Sequence, residues 1–387
     1  MPASVDEHAA LIRSLVVLPT STETVPLAEA LGRVTAAAVT SSVDLPLFRN
    51  SQMDGYAVRA ADLPGTLPVV AEIAARPGEP MPLRPGTAVK IMTGAPLPDG
   101  ADAVVPVEDV TRDGGTVTIA HPRTAGEFVR ERGSDLRVGD ALLPAGRLLA
   151  SRHLAALAAA GLTTVPVRGR VRVGVITTGA ELVAEVTRVG EIYDSNAVAL
   201  TAAIAATGAV VSVVARVADD AHAMRSALDA AIAISDVVVT SGGISMGDHE
   251  VVRDVLEPLG ASVTTIAMQP GGPQATAVVS GVPVVCFPGN PVSTQLSFEV
   301  FLAPILREHA GLPAAVRARR ALVAEVKSVP GKRQFLRGRA VGANQAEIVS
   351  GASSHLVAGL AAADLLVDIP AEITSLTKGT IVETWAL

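Results

Sequence analysis

A multidomain α/β protein, with a parallel-sheet α/β domain beside β-rich parts, is predicted by three observations. Val237, Val238 and Val239 form a β-branched run without polar alternation, as in a strand buried on both faces of a parallel sheet. Gly242, Gly243 and Gly247 follow, and a helical pattern resumes over 248–259 with Val251, Val252, Val255 and Leu256 apolar. After Arg168 strand and helix alternate four times, with strands at 171–177, Val210–Val217, 237–240 and 284–287, which predicts a parallel sheet with helices on both faces.

In chain order, residues 1–43 and 141–169 form a helical region, with helices expected at 5–18, 26–38 and 151–160, the last packing back on the first two. Residues 44–140 carry short apolar runs at 69–73, 88–92, 103–107 and Thr116–Ile119, spaced by Pro, Gly and Asp, and read as a β-rich domain. The α/β domain spans 170–316. Residues 317–387 are again β-like, with apolar stretches at 321–326, Leu365–Ile369 and 380–385.

Composition excludes several classes. With 49% hydrophobic and 18% charged residues over 387 positions, the chain buries sizeable cores and is not disordered. Aromatics are 2%, too few for single-strand stacking platforms, and 31 basic against 38 acidic residues give −7, so neither nucleic acid nor an anionic membrane is an expected partner. Only Lys90, Lys327, Lys332 and Lys378 are lysines, so an anion site must rely on arginine, backbone or metal. The single cysteine, Cys286, excludes an internal disulfide and reads as a core residue. Asp6 and Glu7 stand where a signal peptide wants a basic region, which implies a cytoplasmic location. The uncharged runs 195–215 and 258–298 are broken by glycine and proline and are not read as membrane spans.

Three loops leave the carboxyl ends of the predicted strands: Thr177-Thr178-Gly179-Ala180-Glu181, the 241–248 loop, and Pro288-Gly289-Asn290-Pro291. Ligands in open parallel sheets bind outside those ends, so the loops are expected to converge. Glycines at a helix start suit a phosphate, while Asp248 and Glu250 at the same place suit helix-dipole compensation or a hard cation such as magnesium. Glu181 is placed to face Glu250 and share that metal, and Asn290 to cap a helix that begins at Pro291 and holds Ser293 in its first turn. His249 has no histidine or cysteine partner nearby and reads as solvated. The usual nucleotide fingerprints, Gly-Lys-Ser/Thr and G-x-G-x-x-G, are absent from these loops.

Ser51-Gln52-Met53-Asp54-Gly55-Tyr56-Ala57-Val58-Arg59, Ile91-Met92-Thr93-Gly94-Ala95-Pro96, Ser241-Gly242-Gly243-Ile244-Ser245-Met246-Gly247-Asp248 and Pro288-Gly289-Asn290-Pro291-Val292-Ser293 resemble, in order, the molybdopterin molybdenumtransferases of the MoeA type, which includes the E domain of gephyrin. The resemblance implies insertion of molybdenum from molybdate into adenylylated molybdopterin with magnesium-dependent release of AMP. It also implies a homodimer whose active site pairs the α/β domain of one copy with the β-rich domain of the other. The upstream adenylyltransferase and molybdoenzymes are the further partners it suggests.

By motif, Asp54 and Thr93 match polar residues that close the site, and Asp135, Glu181 and Asp219 match acidic positions. Ser241, Gly242, Gly243, Ser245, Gly247, Pro288, Gly289, Asn290, Pro291 and Ser293 fall in the substrate-binding motifs. Turn capping is the structural alternative for Asp54 and Thr93, and an N-cap before Ala221 for Asp219. Three departures stand out: Ala180 where the family often has Asp, Glu250 where it usually has Asp, and Gln269-Pro270-Gly271-Gly272-Pro273 where it commonly reads Lys-Pro-Gly-Lys-Pro. Two ammonium groups are missing, each contact to a charged donor being worth about 1.5–3 kcal/mol, unless Arg59, Arg333 or Arg337 substitutes. A non-catalytic pterin-binding or scaffold member of the family is the competing reading. An adenylyltransferase would not need the Met53-Asp54-Gly55 and Thr93-Gly94 motifs.

Overall fold

The computed structural model describes residues 2–78, 81–183, 185–244 and 250–387. By contacts the chain divides into two compact units, Thr24–Leu31 with Thr35–Val167, and Met1–Glu23 with Gly32–Val34 and Arg168–Leu387.

The first unit is built on a six-stranded sheet in the order Ala103–Pro106, Gly55–Val58, Ala88–Ile91, Gly65–Ile73, Thr116–Ile119, Thr111–Asp113. Its strands Gly55–Val58, Ala88–Ile91 and Ala103–Pro106 are buried on both faces. Tyr56 and Val58 enter one core with Leu67, Val105 and Val117, while Ala57 enters another with Val89, Ile91 and Val104. That two-sided burial is why these strands read as short apolar runs without alternation. Gly55 is required by close packing, because a Cβ there would meet the Val105 carbonyl oxygen at 2.2 Å. A smaller core joins Val25, Val39, Leu143, Leu149, Val165 and Val167 to Leu157 of the helix Ser151–Ala159.

No helix forms at 26–38. Pro26 ends a strand in an extended conformation, Leu27–Glu29 makes one 3-10 turn, and Gly32 adopts φ +72. Beyond it, the Thr35 and Ala36 amides donate to the Arg147 and Pro166 carbonyls at 3.0 Å each. Non-local backbone partners thus override the helix propensity of the alanines.

In the second unit the helix Val5–Leu15 starts at a capping box: Ser4 Oγ accepts from the Glu7 amide at 3.2 Å and Glu7 accepts from the Ser4 amide at 2.8 Å. Its apolar face, Val5, Ile12 and Val16, joins the core beneath a six-stranded sheet. That sheet runs Val210–Val217, Arg172–Thr178, Val237–Ser241, Val282–Phe287, Pro273–Val279, Ser262–Thr265. Val237 and Val239 face one core with Leu200, Ile204 and Phe301, and Val238 faces the other with Met224, Leu228 and Leu256. Helices on both faces therefore explain the unbroken valine run.

The four strands expected to form a parallel sheet do so, and two further strands extend it. The first four strands are parallel, but Pro273–Val279 and Ser262–Thr265 are antiparallel additions. Ser280 and Gly281, at φ +52 and +82, make a two-residue hairpin turn between Val279 and Val282, which sets Pro273–Val279 antiparallel beside Val282–Phe287 and leaves Ser262–Thr265 as the edge strand. The carboxy-terminal sheet is formed by Met268–Gln269, Arg333–Val341, Gln345–Ile348, Arg317–Leu322, Ile381–Ala386 and Leu365–Ile369, and the last strand pairs back on Arg333–Val341 to close it like a barrel. Among the described residues no helix is long and apolar enough to cross a membrane.

Candidate active site

The carboxyl ends of the four parallel strands open into a cleft of about 420 Å3. Its walls include Glu181, Asp219, Gly242, Gly243, Glu250 and the turn Pro288, Gly289, Asn290 and Pro291, so the structure brings together residues of all three loops. Ser245, Gly247, Asp248 and His249 lie outside the described residues. Ser241 and Ser293 are buried behind the surface of the cleft, in the strand end and the first turn of the helix Pro291–Ser297. Asn290 is the N-cap residue of that helix, but its side chain makes no capping hydrogen bond.

Close backbone approach shapes the floor. Gly242, at φ +98, donates its amide to the Phe287 carbonyl at 3.1 Å, and a Cβ on it would meet the Thr178 carbonyl oxygen at 2.5 Å. Behind the loops, the buried Asn196 amide donates to Ser241 Oγ at 2.9 Å and to the Gly289 carbonyl at 2.7 Å, and Thr294 Oγ1 donates to the Pro288 carbonyl at 2.6 Å. Asn196 thus ties the second loop to the third. The sequence reading did not select it, although its place one residue into a helix that follows a strand at this sheet edge was a usable signal. Asp194 caps that helix, accepting from the Ala197 amide at 3.0 Å and the Thr177 hydroxyl at 2.6 Å.

The acids are less tied. Among the described residues Asp219 accepts only from the Ala180 amide, at 3.2 Å, and the N-cap of the helix Ala221–Ile232 is Asp220, not Asp219. The Glu181 carboxylate lies over Gly179, where a Cβ would meet its oxygens at 2.6 Å. No Lys or Arg lines the cleft among the described residues. Arg333 is held by Asp368 at 2.6 Å and Asp6 at 2.9 Å, and the buried Arg337 donates to Ser350 Oγ and to the Gly351 and Ser353 carbonyls, so neither replaces the missing lysines. Gln269 accepts from the Gln334 side chain. Cys286 is fully buried, and burial pushes its thiol up to about 12, as expected of a core residue.

In the other unit, Asp54 Oδ1 accepts from the Thr93 amide at 2.7 Å and the Thr93 hydroxyl at 2.8 Å. These two donors, the amide first, hold its carboxyl below the ordinary value of 3.8. Turn closure, the structural alternative for this pair, is therefore present in the geometry. Asp135 is exposed, and its amide donates to the Leu45 carbonyl at 2.9 Å.

The families described as "MoeA N-terminal region (domain I and II)", "Probable molybdopterin binding domain" and "MoeA C-terminal region (domain IV)" match residues 3–161, 174–308 and 319–387. Molybdopterin molybdenumtransferase 2 of Mycobacterium tuberculosis is 41% identical, across 94% of this chain and 95% of the relative. The chain belongs to the molybdopterin molybdenumtransferase family. Molybdopterin molybdenumtransferase 1 of the same organism is 34% identical, with 98% of each chain covered. The fold agrees with the crystal structure of the molybdopterin biosynthesis MoeA protein from Pyrococcus horikosii, at a TM-score of 0.84 and 34% identity, covering 100% of this chain and 99% of that one.

Proposed function

We propose that the chain inserts molybdenum from molybdate into adenylylated molybdopterin, releasing AMP, in molybdenum cofactor biosynthesis. The observation that carries this is one cleft that joins glycine-loop backbone to four acids, Glu181, Asp194, Asp219 and Glu250, of which Asp194 is taken up as a helix cap, with no cation among its described walls. Family membership supports the same reading.

Oxygen donors of this kind suit a hard cation, although among the described residues no three potential ligands stand together as a ready-made site. Glu181 and Glu250 are the residues that would hold magnesium, whose chemistry there is neutralisation of charge on a substrate phosphate. Gly242 and Gly243 let the loop pack tightly against Thr178 and Val252 and so fix the cleft floor, and Asn196 keeps their loop in register with the Pro288–Pro291 turn. Asp219 adds a further oxygen acceptor held from the other side of the strand ends.

The protein works in this proposal as a cytoplasmic homodimer, with Asp54, Thr93 and Asp135 of one copy completing the cleft of the other. Light scattering at micromolar concentration that shows only monomer would contradict that arrangement. The reaction itself is tested by incubating the protein with adenylylated molybdopterin, molybdate and magnesium and following AMP release and cofactor formation together. Conversion supports the proposal, whereas tight pterin binding without conversion assigns the chain to a non-catalytic role.

A further inference from the structure

Six phenylalanines, two tyrosines and one tryptophan are all the aromatic residues of this chain. Most serve the cores: Tyr56, Phe287, Phe298, Phe301, Phe335 and Trp385 are buried. Tyr193 is the exception that meets the cleft. Among the described residues it is the only Phe, Tyr or Trp in the cleft wall, and it is 65% exposed. No other ring and no guanidinium packs against it among the described residues.

Its backbone is nevertheless fixed on both sides. Ile192 and Tyr193 pair in parallel with Leu182 and Val183, and the Ile192 amide donates to the Glu181 carbonyl at 2.8 Å. Asp194, the next residue, is locked by its bonds to Thr177 and Ala197. A tyrosine held this way has only two side-chain torsions to order when a ligand arrives, so its large face is available at small entropic cost. Leu182 and Ile192 share the wall, so apolar side chains stand with the ring between the acids Glu181 and Asp194. The face of an aromatic ring is negative and does not attract a phosphate, but it stacks well on a flat heterocycle.

We infer that Tyr193 is a substrate-contacting residue that stacks on a heteroaromatic ring of the substrate, the pterin or the adenine, and thereby directs the phosphate link toward the acids. This rests on the function proposed above. Because the Ile192 amide is bonded to the carbonyl of Glu181, which directly precedes the paired strand Leu182–Val183, the ring platform and one acid are set by the same short strand pair. Their spacing is thus built into the backbone.

The test uses Tyr193→Leu, which keeps apolar bulk without a ring, and Tyr193→Phe, which keeps the ring, with melting temperature as the folding control. Titration calorimetry with AMP and, separately, with 6-hydroxymethylpterin is run beside steady-state kinetics on adenylylated molybdopterin. Stacking predicts that Tyr193→Leu loses about tenfold in affinity for one probe and raises KM by a similar factor with little change in kcat, while Tyr193→Phe stays within about twofold. A loss confined to AMP identifies the adenine as the stacked ring, and a loss confined to the pterin identifies the pterin. Wild-type affinity for both probes with unchanged KM in a variant that turns over overturns the inference and leaves the functional reading standing. Wild-type protein that neither turns over nor binds either probe overturns that reading, and this inference with it.

Discussion

Asp54 and Glu181 are both exposed acids at the end of a strand, yet their surroundings differ sharply. Asp54 takes two hydrogen bonds from Thr93 and closes a turn, so its charge is already satisfied by the fold. Glu181 and Glu250 have no side-chain hydrogen bond among the described residues, and Asp219 has one long one. The loop at Thr93, 39 residues further along the chain, brings a donor amide and a hydroxyl to Asp54 within the same unit. At parallel strand ends the chain instead runs away into crossover helices and leaves the acids at the cleft with few local donors. Carboxylates without partners at a cleft mark where a ligand's charge can be met, and one held by local donors, as Asp54 is, has its orientation fixed by the fold before any ligand arrives.

The sharpest way to break this contrast is to disturb the loop that frames the cleft. Gly242→Ala would place a Cβ 2.5 Å from a backbone oxygen at a φ of +98. The expected cost is about 1–3 kcal/mol of stability with turnover lowered roughly a hundredfold, read from thermal melts and single-turnover AMP release. Normal turnover would show that the close approach is not needed.

The adjacent pair Asp219 and Asp220 separates the two kinds of acid within one turn of chain. Asp220 accepts from the Ala223 amide at 2.7 Å as a helix cap, so Asp220→Ala should lose about 0.5–2 kcal/mol and keep its turnover. Asp219→Asn should keep its melting temperature and lose about tenfold or more in turnover. The reverse pattern would move the capping role back to Asp219.

Much of this was legible in the sequence. The Val237 to Val239 run announced a strand covered on both sides, the strands Val210–Val217 and Thr116–Ile119 have the bounds their patterns implied, and the three glycine-bearing loops do meet. Three features escaped. The strand Arg333–Val341 carries three arginines and looks polar, but Arg337 is buried with its donors on loop carbonyls and Arg333 is paired with Asp368. Ser280-Gly281 is a modest turn signal in an uncharged stretch, so the antiparallel strand before it was hidden. Asp219 and Asp220 are indistinguishable as caps until the first helical amide is located.

The smallest effect tests the satisfied side of the comparison. Asp54 has a lowered carboxyl pKa, so its contribution is present above the unfolded value near 3.8 and is lost as pH falls through the lower folded value. Thr93→Val removes the hydroxyl donor and keeps the amide. The titration of Asp54, followed by NMR, should shift upward toward 3.8 while the fold at neutral pH is unchanged. An unshifted titration would mean that the amide alone sets it.

Turnover and binding of Glu181→Gln, measured side by side, test the central claim most directly. Removing a charge that acts mainly in the transition state lowers turnover without weakening ground-state binding. The account predicts that magnesium-dependent AMP release falls by about a hundredfold or more while pterin affinity stays within about threefold of wild type. Normal magnesium-dependent release by Glu181→Gln would contradict it.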